Sequence, residues 1–343
     1  MAKILAIRFS ALGDIAMTVA VLKSFADIYP EHEITLLSRP IAGKLLEGLP
    51  ENVHFRAVKL DDYKGVGGMF RLSRELMAEG YDAVADMHNV LRTKLLRFFF
   101  KHKGKPTACI DKGRKERKQL TRKRNKRRVP LTSSPERYAQ VLNDLGYPID
   151  LQPFHKYAKE PADISSLIDV TGEKGDSAWV GIAPFAAHKG KIYPLEQMEE
   201  TIALLADKKD LKIFLFGSGP EEQQWCEAIA AKQANVCSLI GKTNLTKEMM
   251  LMSHMNVMVT MDSANMHLSA LAGTPTLSLW GATHPLAGFA GMQAGGSRIL
   301  QLDMPCRPCS IFGNKPCLYG DYRCMNRIEP QMVASAIMNY CNN

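Results

Sequence analysis

Two periods of apolar residues alternate along the chain. Short continuous apolar runs at 3–9, 33–38, 53–58, 83–87 and 107–111 predict buried strands. Between them, a helix entered through the turn at 10–14 and running to about 28, then 41–49 and 67–79, repeat apolar residues at helical spacing, and 134–145 follows as a further helix. Ile15, Val19, Leu22, Phe25 and Ala26 supply the buried face of the first helix. The pattern then weakens from 146 to 163, where Pro148, Pro153 and Pro161 mark an interdomain linker. A second series follows, with strands at 178–183, 212–216, 236–239, 257–261 and 276–280. Its helices lie at 195–206 and 245–254, after a glycine turn at 217–219, and after Asp262. Repeated strand–helix alternation predicts an α/β fold of two Rossmann-like, doubly wound domains facing a cleft. The expected division is 1–160, 161–328, and a last helix within 329–343 that packs back across the junction.

Candidate chemistry falls at the carboxyl ends of these strands, where open α/β sheets bind ligands. Gly13-Asp14 follows the first strand, and Asp86, His88, Asn89 and Arg92 follow the fourth. In the second half, two lysines, Lys189 and Lys191, stand in the loop after strand 178–183. Gly217, Gly219 and Glu221 form a tight turn, and Asp262-Ser263 caps a helix closed by Gly273. A helix start carries free N–H groups and positive potential, which suits a phosphate. Each feature also has an ordinary reading. Asp14 would complement a helix dipole, His88 would be a satisfied polar residue at a helix start, and a two-glycine turn is a common βα loop.

The residues together resemble the ADP-heptose:lipopolysaccharide heptosyltransferases, glycosyltransferase family 9. Asp262, Ser263, His267, Gly273, Pro275, Gly281, Thr283 and Pro285 fit its D-[ST]-G-x-x-H, G-x-P, G-P-T-x-P series. Ala264 and Ala282 stand where Gly and Pro are usual. Arg8, Ser10, Ala11, Leu12, Gly13 and Asp14 fit R-x-[SD]-[SA]-[LM]-G-D. Asp86, His88 and Arg92 fit D-x-[QH]-G-x-x-[RK], with Asn89 replacing Gly. Lys191 takes the lysine of P-G-A-[ST]-x-x-K-x-W-P, with Tyr193 replacing Trp.

The resemblance implies a GT-B fold and inverting transfer of a heptose from an ADP-sugar to a lipopolysaccharide inner-core or lipid A acceptor. It implies Asp14 as general base, with Ser10, Gly13, His88, Asn89 and Arg92 on the acceptor. Lys191, Gly217, Gly219, Glu221, Asp262, Ser263, Ala264 and His267 fall to the donor. No Asp-x-Asp motif is present, so catalysis is expected to need no metal cofactor.

Charge and cysteines add two features. Residues 112–128 hold eleven Lys/Arg and one Glu, so this run carries more than the whole net charge of +9. It reads as a solvated or mobile loop. Arg122, Lys123 and Arg124 within it are expected to meet the phosphorylated lipid A–core acceptor or the anionic inner-membrane surface. The run has no aromatic residue for base stacking, which disfavours nucleic acid.

Cys306, Cys309, Cys317 and Cys324, spaced C-x₂-C-x₇-C-x₆-C, suit a structural zinc site or a set of reduced thiols. No apolar run reaches the roughly 20 residues of a membrane span, and Arg8 interrupts any signal-peptide core. The expected place is the cytoplasm, peripheral on the inner membrane. Two alternatives stay open: a GT-B enzyme with another nucleotide-sugar donor or an epimerase, and a nucleic-acid-binding protein on an inactive transferase scaffold.

Overall fold

The computed structural model describes residues 1–208 and 210–342. The chain forms two compact units: Met1–Arg114 with Thr132–Phe154, and Lys115–Leu131 with the residues from His155 onward.

The first unit holds strands β1 (Lys3–Ile7), β2 (Glu33–Ser38), β3 (Val53–Ala57), β4 (Ala83–Asp86) and β5 (Thr107–Cys109). They form one parallel sheet in the order β3-β2-β1-β4-β5. Its helices are α1 (Leu12–Ile28), α2 (Gly43–Leu46), α3 (Gly65–Ala78) and α4 (Leu91–His102). After α5 (Arg114–Leu120), which leaves the unit, comes α6 (Ser134–Asn143). β1 is a nearly unbroken apolar run because helices cover both faces of a parallel sheet. Leu72 and Leu76 of α3 and Leu96 and Phe100 of α4 pack on Leu5, Ile7 and Val84. Each such side chain contributes about 1.5–3 kcal/mol by leaving water. Strand order reverses around β1, so the crevice of this sheet opens between the ends of β1 and β4.

The second unit holds β6 (Ala178–Ala183), β7 (Leu211–Leu215), β8 (Val236–Ser238), β9 (Val257–Met261), β10 (Thr276–Leu279) and β11 (Arg298–Leu300). They are parallel in the order β11-β10-β9-β6-β7-β8. The helices are α7 (Ile168–Thr171), α8 (Leu195–Ala206), α9 (Pro220–Ala230), α10 (Leu245–Met252), α11 (Ala264–Ala272), α12 (Arg323–Asn326) and α13 (Pro330–Cys341). The switch point lies between β6 and β9.

Three boundaries differ from the expected ones. The units divide after Phe154 rather than at 160, because the backbone from His155 onward is already tied to α11: His155 Nδ1 is 2.6 Å from Ala270 O, and Lys156 N donates to Leu271 O at 2.6 Å. α13 packs on α8, β6 and β9, and its Val333, Ala334 and Ile337 complete the core of the second unit, so it is part of that unit rather than a separate segment. The basic run is no loose loop on the first unit. It starts with α5, and 115–131 belongs to the second unit.

Candidate active site

In the first unit, the β1 and β4 ends bring together the predicted acceptor-side residues. Asp14 sits in the first turn of α1. Its Oδ2 is 2.5 Å from Arg8 Nη2, and its Oδ1 accepts from Tyr138 Oη at 3.1 Å. Arg8 is itself anchored by Nη1 donating to Met87 O at 2.7 Å, and its guanidinium lies over the Tyr138 ring. The Asp14 side chain keeps about a quarter of its surface exposed, so a substrate hydroxyl can reach it. Sequence reasoning assigned no role to Arg8 or Tyr138. The signal for Arg8 was present, a charge at the end of a buried apolar strand, where it must find a partner.

His88 stands across from Ser10, with Nε2 and Oγ 3.4 Å apart. Phe9 N–H donates to Nδ1, which leaves the ring proton on Nε2, facing the serine. Burial first, then Arg8 and Lys112, push the His88 pKa down to about 4. The ring is neutral at pH 7 and can donate to an acceptor oxygen.

Asp86 has a supporting place. It is fully buried, pairs with Arg97 Nε at 2.8 Å, and accepts from the His88 and Asn89 backbone N–H groups. Asn89 has φ 49°, the left-handed region, which explains why Gly is usual there and why Asn is tolerated. Its side chain donates to Ile110 O at 3.1 Å. Arg92 lies in the first turn of α4.

In the second unit the donor-side residues gather at the β6–β9 switch point. Lys191 Nζ is 2.8 Å from Asp262 Oδ2, an ion pair off the hydrogen-bond axis. Ser263 occupies the N-cap of α11, yet its hydroxyl makes no cap bond, contrary to the expected cap. The Ser263 and Thr283 hydroxyls are buried without hydrogen-bond partners. The Ser263 hydroxyl and the free N–H groups at the α11 start, with Lys191 beside Asp262, form a cradle for an anion. Ala264 opens α11, and His267 is buried in its second turn.

The two loops of this cradle touch through glycines. Ala282 N donates to Gly190 O at 2.8 Å, and a Cβ on Gly190 would meet Ala282 Cβ at 2.8 Å and Gly313 O at 2.8 Å. Tyr193 is wholly buried, with its hydroxyl donating to Ile328 O at 2.7 Å. The Tyr-for-Trp change is therefore a matter of core packing.

At the glycine turn, Gly219 has φ 81°, which favours glycine. Glu222 accepts from Ser218 N at 2.7 Å and fixes the turn, so Glu221, exposed, is the acid left to face a ligand.

Arg122, Lys123 and Arg124 are exposed in the turn after α5. Their neighbours anchor the segment to the second unit. Lys126 Nζ donates to Pro308 O at 2.7 Å, and Arg128 bonds Arg307 O at 2.9 Å and Asp303 Oδ1 at 3.1 Å. Arg117 lies over the Phe289 ring.

Cys306, Cys309, Cys317 and Cys324 line one cavity with Arg307 between them in the lining. Arg307, 1% exposed, donates to Gly281 O at 2.5 Å, Thr283 O at 3.0 Å and Gln301 Oε1 at 2.8 Å. It thereby braces the loop after β10, a role sequence reasoning missed. The thiols are not drawn into a metal cage: among the described residues no group of three or more His, Cys, Asp or Glu is placed to hold an ion. All are free, and burial pushes Cys324 up to about 11.

Among the described residues no helix is long and apolar enough to cross a membrane. The family model "Glycosyltransferase family 9 (heptosyltransferase)" matches residues 69–311. Lipopolysaccharide core heptosyltransferase OpsX of Haemophilus influenzae is 24% identical over 82% of this chain and 79% of its own length. Lipopolysaccharide heptosyltransferase 2 of Escherichia coli is 26% identical over 82% and 84%. The solved structure of E. coli ADP-heptose lps heptosyltransferase II superposes with a TM-score of 0.71 at 21% identity, covering 99% of this chain and 98% of that one.

Proposed function

The chain belongs to glycosyltransferase family 9, the heptosyltransferases, with the two parallel-sheet α/β domains of the GT-B fold, and from that premise we propose its reaction. It moves a heptose from ADP-heptose to a hydroxyl of the phosphorylated lipid A–core oligosaccharide, with inversion. The observation that carries this is the Lys191–Asp262–Ser263 cradle at the switch point of the second sheet, which suits a nucleotide diphosphate.

In this reading the second unit holds the donor. The diphosphate takes the N–H groups at the start of α11, the Ser263 hydroxyl and Lys191, while His267 supports that helix turn. Glu221 and the Gly217–Gly219 turn meet the nucleoside. As the anomeric C–O bond breaks, negative charge grows on the departing phosphate oxygen, and these donors stabilise it. The first unit supplies the base. Asp14 takes the acceptor hydroxyl proton as that oxygen attacks the anomeric carbon from the opposite side. Arg8 and Tyr138 hold the carboxylate in place, and Ser10, Gly13, His88, Asn89 and Arg92 orient the acceptor.

Arg122, Lys123 and Arg124 meet the acceptor phosphates or the anionic inner-membrane surface, and the protein works in the cytoplasm on that surface. The four cysteines are soft donors of the kind that hold zinc, but as placed they do not converge on one point, so an ion there would need them to move together. Such an ion would serve structure and take no part in transfer.

The test is transfer from ADP-heptose to lipid A lacking core heptose, with the anomeric configuration of the product read by NMR. Inverted heptosyl product supports the reading. Turnover with UDP- or GDP-sugars in place of ADP-heptose, or epimerised sugar released without transfer, would contradict it.

A further inference from the structure

We propose that the outer face of α3 and α4 in the first unit docks on an anionic lipid bilayer. The inference deepens the reading of a lipid-linked acceptor by naming a surface that meets the lipid.

The inner faces of these helices are fully used. Met69, Leu72, Leu76, Leu96 and Phe100 lie in the core. The outer faces are apolar as well. Val66 is 62% exposed, Phe70 49%, Leu91 75% and Phe98 64%. Ring contacts join the two phenylalanines into one ridge: Phe70 meets Phe99 edge-on at 5.3 Å, Phe99 meets Phe98 at 5.7 Å, and Phe98 stacks on His102 at 6.4 Å. Leu91, Leu95 and Phe98 recur at helical spacing along one stripe of α4. Scattered exposed apolar residues are ordinary, but a connected aromatic ridge across two helices is an interaction surface.

The charges beside the ridge choose the occupant. α4 carries no acidic residue, and Lys94 and Lys101 on it are exposed, as are Lys103 just beyond and Arg74 on α3. The one acid on α3, Glu75, accepts from Tyr63 Oη at 2.6 Å. Asp61 and Asp62 precede α3 and lie on neither helix. Phe and Leu between Lys and Arg is the composition of a helix lying in the headgroup region of an anionic membrane. A second copy of this chain fits worse, because two such faces would set lysine against lysine. α4 also starts two residues after Asn89, so the element that would touch lipid begins at the acceptor-side residues.

The test uses flotation of the full chain with liposomes of phosphatidylethanolamine containing phosphatidylglycerol, against phosphatidylcholine liposomes. The wild type should bind the anionic liposomes. The double variant Phe70→Ser/Phe98→Ser should bind about tenfold less. Lys94→Gln/Lys101→Gln/Lys103→Gln should lose about fivefold per charge on anionic liposomes at low salt, with no change on neutral ones. All these residues are exposed, so the melting temperature should hold; if the aromatic variant does not fold, the lysine variant decides alone. Binding unchanged in the folded variants would overturn the proposal. So would a wild-type dimer, seen in sedimentation velocity, that Phe70→Ser/Phe98→Ser dissociates, because the face would then belong to a second copy. Turnover on a deacylated, water-soluble acceptor should be the same in wild type and variants. A wild type that turns over neither acceptor would count against the transferase reading and leave the liposome result standing.

Discussion

Lys191 Nζ rests 2.8 Å from Asp262 Oδ2, joining the loops after β6 and β9 across the switch point of the second sheet. The carboxylate is 4% exposed and the lysine 16%, so the pair is poorly screened by water and the ammonium is held at the start of α11. A bound diphosphate would share that lysine. Lys191→Met removes a charge-assisted hydrogen bond worth about 1.5–3 kcal/mol. The Kd for ADP, by titration calorimetry, should therefore rise about ten- to hundredfold, with the KM for acceptor little changed. An ADP affinity equal to wild type would place the diphosphate elsewhere.

The positive field at this site comes from the protein itself, from Lys191 and the N-terminus of α11. Transfer should proceed at the wild-type rate in EDTA and gain nothing from Mg²⁺. Activity lost in EDTA and restored by Mg²⁺, with the melting temperature unchanged, would contradict this. A fall in melting temperature that Zn²⁺ restores would instead report metal at Cys306, Cys309, Cys317 and Cys324.

Much of the fold was legible because most strands are apolar runs bounded by turn residues. β2, β6, α8 and β9 fall on their expected residues. β11 was missed because Arg298–Leu300 lies at the sheet edge with Ile299 44% exposed, and shows no strand pattern. The motif residues appeared at strand ends, as the pattern required. Their partners did not, since pairs such as Lys191–Asp262 and Asp14–Tyr138 are far apart in sequence. Nor could composition show that two residues of the basic run anchor it: Lys126 and Arg128 look like their neighbours until their carbonyl partners are seen.

That anchoring separates two effects of the basic segment. Arg122→Gln, Lys123→Gln, Arg124→Gln and Arg127→Gln together remove exposed charge. They should raise the KM for a membrane-bound acceptor and flatten its dependence on salt, at about 1 kcal/mol per charge near an anionic surface. Lys126→Gln with Arg128→Gln should instead lower the melting temperature. An unchanged KM on anionic vesicles for the first set would make those residues a solvated turn.

Acid should destabilise the protein before its carboxylates titrate. Burial pushes the His88 and His284 pKa values down to about 4, from 6.5. Between these values the unfolded chain binds more protons than the folded one, so stability rises with pH and is complete above about 6.5. It is lost as pH falls towards 4. Urea midpoints from pH 6.5 to 5 should show this slope, and His88→Gln/His284→Gln should reduce it by up to about two protons. An unchanged slope in the double variant would show that neither ring is held neutral.

The central claim is that Asp14, held by Arg8 and Tyr138, is the base that deprotonates the acceptor. Asp14→Asn keeps the size of the side chain and removes its basicity. The most direct measurement is kcat for heptosyl transfer by this variant beside its Kd for ADP. The account predicts kcat lower by about 10²–10⁴-fold with the Kd near that of wild type. A variant that keeps most of kcat, or that loses ADP binding instead, would contradict it.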